Sequence, residues 1–321
     1  MKLASVLTPL SEENLQLAAQ CGVTDIVSRY PKGGRTQLVE TKRLIESFGL
    51  RLSVVEGYLP IENIKVGADD GTELEAVKRL LHDMAELGVP LLCYNFMAGT
   101  DWVRTQLDAR ERGGAKTTAF RLRDVERARS LSPTAASISS APITAAALWD
   151  NLERFLNAVV PVAERCGVTL AMHPDDPPLP AFLGKDRIMN TIEGFEKLMR
   201  LVPSKANKLC FCQGTFSALP LDIPATIRRL GSHIAYVHFR DVRGTPEDFI
   251  ETFHDNGPTD MAEAMRAYRD IGFTGCMRPD HVPQLVGEDD GEPGYTMKAR
   301  LFAYGYIRGL MHATARGPKG S

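Results

Sequence analysis

The feature that most constrains this chain is an alternation kept up along nearly its whole length. Apolar runs of strand length change places eight times with stretches of helical period. KLASVL precedes SEENLQLAAQCG, where Ser11 can cap a helix and Gly22 can end it. TDIVSR precedes TQLVETKRLIESFG, which sets Leu38, Leu44, Ile45 and Phe48 on one helical stripe. RLSVVEG leads through a loop to GTELEAVKRLLHDMAELG, and PLLCYNF is answered later by AALWDNLERFLNAVVPVAERCG. TLAMHP pairs with TIEGFEKLMRLV, KLCFCQ with DIPATIRRLG, IAYVHF with TDMAEAMRAYRDIG, and GCMRP with GYTMKARLFAYGYIRGL. Strands rich in Val, Ile, Leu and Cys, with little polar alternation, suit a parallel sheet covered by helices. Eight such units in 321 residues predict an α/β fold, one (β/α)8 TIM barrel over 1–321 rather than two doubly wound domains. No GxGxxG or Walker-type loop follows any strand, which argues against a nucleotide-binding sheet.

The rhythm breaks once, in the irregular stretch 98–144 after the fourth strand. It carries Trp102, a basic run (Arg104, Arg110, Arg112, Lys116, Arg121, Arg123) and the low-complexity segment LSPTAASISSAPITAAA. A loop this long inside a barrel is expected to be a lid or a disordered insertion, on the face where barrel active sites form. The tail 315–321, ARGPKGS, is expected to be disordered.

A net charge of -2 gives no reason to expect nucleic acid or an anionic membrane as partner. The start, MKLASVLTPLSEEN, is too short in apolar residues for a signal peptide, and no run of apolar residues is long enough to span a bilayer. The six cysteines sit mostly inside apolar runs, as reduced thiols do, so a soluble cytoplasmic protein is expected.

Alternate residues of a barrel strand point inward, and those at the carboxyl ends meet at the site. In TLAMHP, Thr169, Ala171 and His173 share a face; in KLCFCQ, Cys210 and Cys212 do. Tyr236 and His238 share one in IAYVHF, as do Arg278 and Asp280 in GCMRPDH, with His281 following. Four neighbouring strands would thus deliver His173, Cys212, His238 and Asp280 to one rim. Two imidazoles, a thiolate and a carboxylate suit a divalent transition ion such as Zn, Fe or Mn over Mg or Ca. Each residue also has a bland explanation. The histidines could be satisfied strand-end groups, Cys212 a second buried thiol beside Cys210, and Asp280 a turn cap. A one-residue slip in register would turn any of them outward.

Other polar groups lie along the same rim. Arg240 in HFRDVR could grip a substrate carboxylate or simply sit in a surface loop. Asn95 ends the fourth strand and Glu56 the third. His254 and Asp255 precede a helix whose start Thr259 could cap, and Tyr295 sits at the entrance of the last helix.

CYNFMAGTDWVRT, MHPDDPP, HFRDV, HDNGPTDM, MRPDHVP and EPGYTMKARLFAYGYIRGL resemble, in this order, the motifs of mannonate dehydratases. The resemblance implies a metal-dependent, xylose-isomerase-like TIM barrel that dehydrates D-mannonate or a related aldonic acid to 2-keto-3-deoxy-D-gluconate. It implies Mn²⁺ or Fe²⁺ held by His173, Cys212, His238 and Asp280, and proton transfer by His281 and Tyr295 with Asp280 beside them. Asn95, Trp102, Arg104, Arg240 and His254 are the expected substrate contacts. NFMAG stands where the family usually has NFMP, and HDNGP where it has HxDG and an acidic residue. Both departures fall in loops expected to touch substrate. The same fold would also support an isomerase or epimerase of another sugar or sugar acid, or a non-catalytic sugar-acid-binding protein. The aromatic last helix (Phe302, Tyr304, Tyr306) is expected to pack on the barrel wall, with a homo-oligomer left open.

Overall fold

The computed structural model describes residues 1–131 and 142–315. Eight strands close a barrel: β1 (Lys2–Val6), β2 (Asp25–Ser28), β3 (Arg51–Glu56), β4 (Leu91–Tyr94), β5 (Thr169–Met172), β6 (Asn207–Cys212), β7 (Ile234–His238) and β8 (Cys276–Arg278). Every neighbouring pair is parallel, and β8 closes on β1. The covering helices are α1 (Glu12–Gln20), α2 (Gly34–Ser47), α3 (Thr72–Glu86), α4 (Ala145–Cys166), α5 (Ile192–Leu201), α6 (Ile223–Leu230), α7 (Met261–Asp270) and α8 (Met297–Ala315). The expected eight-fold alternation is therefore the observed one.

Local chemistry sets the helix ends. Ser11, Thr144, Thr191, Asp222 and Asp260 each accept a backbone N–H of the first turn. Such a cap is worth about 1 kcal/mol over alanine. Asp260, not Thr259, caps α7; the Thr259 N–H instead donates to Asp241 Oδ2 at 2.7 Å. Gly22, in the left-handed region at φ 79°, follows α1 as expected. Leu38 and Ile45 of α2 are buried against the barrel, and Leu44 and Phe48 are packed beside them. Tyr304 of α8 is likewise buried and meets Ser5, whereas Phe302 is partly exposed. No described helix is long and apolar enough to cross a membrane.

Two apolar layers follow from strand alternation. Outward side chains such as Leu3, Ile26, Leu92, Leu170 and Val237 pack under the helices. Inward ones, Ala4, Val6, Val27, Val54, Cys93, Ala171, Cys210, Tyr236 and Cys276, fill the barrel. Ala171, Cys210 and Tyr236 point inward, so His173, Cys212 and His238, each two residues on, do too. The register sets Cys212 opposite His238 and His238 opposite Arg278.

The stretch after β4 is not irregular where it is described. Gln106–Arg110 and Lys116–Arg121 form a four-stranded antiparallel sheet with the hairpin strands Val242–Thr245 and Asp248–Glu251, which follow β7. Val103–Arg104 pairs with Arg129–Ser130. This sheet buries Phe120, Phe182 and Phe249 in a small core of its own. Most of the low-complexity segment and residues 316–321 lie outside the described residues, while Ala315 ends α8.

Candidate active site

At the carboxyl ends of the strands, side chains from six of them and from the stretch after β4 line one cleft. It is bounded by Arg29, Glu56, Tyr58, Cys93, Asn95, Asp101, Trp102, His173, Asp176, His238, Arg278, Asp280, His281 and Tyr295. Tyr58, Trp102 and Asp280 all take positive φ (60°, 42° and 61°). Side chains rarely adopt that conformation, and such strain gathers at functional sites.

His173, Cys212 and His238 bring their donor atoms within 4.8 Å of one another. His173 Nε2 lies 3.2 Å from His238 Nδ1, which lies 3.5 Å from Asp280 Oδ2. Cys212 Sγ is 3.9 Å from the same Oδ2. The outer nitrogens decide what the inner ones present. His173 Nδ1 faces the Pro174 carbonyl at 2.7 Å, so it carries the proton and Nε2 offers a lone pair. His238 Nε2 faces Glu56 Oε2 at 3.4 Å, which leaves its Nδ1 lone pair turned to the cluster.

Two lone pairs, a thiolate and a carboxylate cannot face one another without a proton or a cation among them. Without a metal the cluster takes a proton: burial alone would lower the His173 pKa, but the Cys212 thiolate outweighs it and raises it to about 10. Burial would raise the Cys212 thiol, but Arg240 and His173 outweigh it and hold it well below the ordinary thiol range. A deprotonated thiol beside two imidazoles and a carboxylate is a donor set that could hold a divalent transition ion.

Asp280 divides its two oxygens between tasks. Oδ2 belongs to the donor cluster, while Oδ1 meets Arg278 Nη1 at 2.7 Å, the Tyr295 hydroxyl at 3.5 Å and His281 Nε2 at 3.7 Å. Burial would favour its neutral form, but Arg278, His281 and His238 keep it well below the usual carboxylate range. His281 Nδ1 lies 3.0 Å from Glu251 Oε1, so the Nδ1 proton is held there and Nε2 is the free, basic nitrogen. Trp102 stacks on the His281 ring at 4.7 Å and meets Tyr295 edge-on at 5.4 Å. Its Nε1 is buried and, among the described residues, has no partner. That leaves an indole N–H for a ligand oxygen.

The expected substrate contacts divide. Asn95 and Trp102 line the cleft; Arg240, Arg104 and His254 do not. Arg240 is enclosed by carboxylates, Nε to Asp280 Oδ2 at 2.6 Å, Nη1 to Glu251 at 2.9 Å and Nη2 to Asp176 at 3.2 Å. Arg104 forks onto Asp176 at 2.8 and 2.9 Å and reaches Glu251 at 2.6 Å. Both guanidiniums are spent on protein carboxylates, so neither is placed to grip a substrate carboxylate. Glu251, in the hairpin after β7, was missed because nothing local marks it. Arg29 was also missed, although it ends TDIVSR as His173 ends TLAMH, and Tyr58 and Asp101 lie on loops without a period to read.

His254 is buried away from the cleft and its Nε2 donates to the Pro279 carbonyl at 2.8 Å. Burial lowers its pKa from 6.5 to about 4. Between those values the unfolded chain binds the proton and the folded chain does not, so stability falls as pH drops from 6.5 towards 4. His254→Gln is expected to flatten the melting temperature across that window, measured by calorimetry against the parent chain.

Fold and site together define a (β/α)8 barrel in which His173, Cys212 and His238, with Asp280 beside them, face His281 and Tyr295 across one cleft. The family model of D-mannonate dehydratase (UxuA) matches residues 9–143 and 138–320. The mannonate dehydratase of Oceanobacillus iheyensis is 35% identical over 294 residues, covering 84% of this chain and 83% of that protein. That of Thermotoga maritima is 34% identical over 308 residues, covering 86% and 85%. The crystal structure of mannonate dehydratase from Streptococcus suis superposes with a TM-score of 0.89 at 28% identity, covering 100% of this chain and 97% of that one. The chain belongs to the mannonate dehydratase family. An L-ribulose 3-epimerase structure, at TM-score 0.64 and 15% identity, shares the fold.

Proposed function

We propose that this protein dehydrates D-mannonate to 2-keto-3-deoxy-D-gluconate in the cytoplasm, with Mn²⁺ or Fe²⁺ held by His173, Cys212, His238 and Asp280. The observation that carries the reading is the pairing across one cleft of that donor cluster with His281, whose basic nitrogen is turned inward by Glu251. Free thiols at all six cysteines fit a reducing compartment.

The reaction removes the C2 proton, expels the C3 hydroxyl as water and lets the resulting enol become the 2-keto acid. Removing a proton beside a carboxylate puts negative charge on its oxygens. A bound divalent ion would supply the positive charge that lowers this cost. His281 Nε2 takes the C2 proton, and the Glu251 carboxylate stabilises the imidazolium as it forms. Burial pushes the Tyr295 phenol up, so it enters the reaction protonated and gives its proton to the departing C3 oxygen. Asp280 Oδ1 accepts from the Tyr295 hydroxyl at 3.5 Å and orients it, while Glu251 orients His281. Trp102 packs over them and excludes water.

Two measurements test the reading. Incubation with D-mannonate is expected to yield a 2-keto-3-deoxy acid, detected by periodate–thiobarbiturate assay; epimerisation without loss of water would overturn it. Chelation is expected to reduce turnover at least about 100-fold, with recovery on adding Mn²⁺ or Fe²⁺. Full activity in metal-free protein would remove the ion from the account.

A further inference from the structure

We infer that Arg29 is the residue that binds the substrate carboxylate and so selects sugar acids over neutral sugars; this rests on the reading of the cleft as a sugar-acid site. Arg29 lies one residue beyond β2, and its side chain is 25% exposed in the cleft. The other cleft guanidinium, on Arg278, is 1% exposed, with Nε and Nη2 bonded to Glu56 and Nη1 paired to Asp280. Arg29 meets one carboxylate, Glu56, at a loose 3.7 Å. Glu56 is already served by Arg278, by the Tyr236 hydroxyl at 2.6 Å and by His238. Among the described residues, no hydrogen bond fixes the Arg29 fork.

Two rings hold that guanidinium in place. It lies 5.0 Å from the centroid of Tyr58 and 5.1 Å from that of Tyr295. Such contacts use the face of the group and leave its N–H edge for an acceptor with two oxygens. Tyr295 is shared between Arg29 and Asp280 Oδ1. A carboxylate at Arg29 therefore sets the adjacent C2 and C3 against the tyrosine and the histidine. An arginine at this spot gives the reaction an anchor on the atoms next to C2, which a neutral sugar lacks.

The test compares Arg29→Gln and Arg29→Lys with the parent holoenzyme, using D-mannonate and the uncharged D-mannonamide as probes. Arg29→Gln is expected to raise KM for D-mannonate about 10- to 100-fold, with bound metal unchanged and kcat much less affected. Arg29→Lys, which keeps the charge but not the fork, is expected to fall between. By calorimetry, D-mannonamide is expected to bind parent and Arg29→Gln alike. A fall in kcat at unchanged KM, loss of metal, or equal weakening of acid and amide would overturn the inference and make Arg29 a support for Glu56. The two readings fail separately. If D-mannonate binds through Arg29 but no 2-keto-3-deoxy acid forms, the dehydratase reading falls and the anchor stands. If Arg29→Gln forms that acid at the parent KM, the anchor falls and the dehydratase reading stands.

Discussion

His281→Gln is expected to lower kcat by about 10²- to 10⁴-fold while the protein keeps its full complement of metal. Glutamine fills similar space beside Trp102 and can still hydrogen-bond Glu251, but it has no nitrogen able to take a proton at neutral pH. His281 contributes no atom to the donor cluster, so metal content measured by elemental analysis should be that of the parent. Solvent exchange at C2 of D-mannonate separates the proton-transfer roles. His281→Gln should lose that exchange, whereas Tyr295→Phe, which removes the acid, should keep some of it while losing net dehydration. Metal loss in His281→Gln would move the histidine into the ligand set, and exchange that persists there would assign the base elsewhere.

The second large effect concerns folding. Arg240→Leu is expected to destabilise the chain by about 3–5 kcal/mol, because it strands Asp176, Glu251 and Asp280 as buried carboxylates without their shared cation. Arg240 is 1% exposed, so water cannot take its place. Arg104 would still serve Asp176 and Glu251, but Asp280 would keep Arg278 alone among the arginines. Urea denaturation measures the loss. Arg228→Ala provides the contrast: its ion pairs with Glu263 and Asp270 lie on the surface, and no measurable change is expected. Equal stability of the two variants would mean that the buried network is not holding the rim together.

Arg240 also shows where the sequence was legible and where it was not. HFRDV marks an arginine at a strand end, and a strand-end arginine facing a cleft is a fair carboxylate ligand. Whether it faces the cleft or the protein depends on Glu251 and Asp176, 11 residues after it and 64 before it. The hairpin that carries Glu251 pairs with Lys116–Arg121, over a hundred residues upstream, and no local period announces such a partner. Arg104 is captured the same way, across 147 residues. His173, Cys212 and His238 were readable because each depends on one rule, the two-residue alternation of a barrel strand, applied to a register that adjacent parallel strands share.

Local pattern was enough for the barrel itself, its eight strand–helix units, the Ser11 cap and the residues at strand ends, since periodicity and capping act over a few neighbouring residues. Only the tertiary structure decided which buried charges neutralise one another, which arginine stays free in the cleft, and which nitrogen of His281 is left basic. Those outcomes follow from distances between segments remote in sequence, and a buried charge pairs with whatever opposite charge the packing brings within reach.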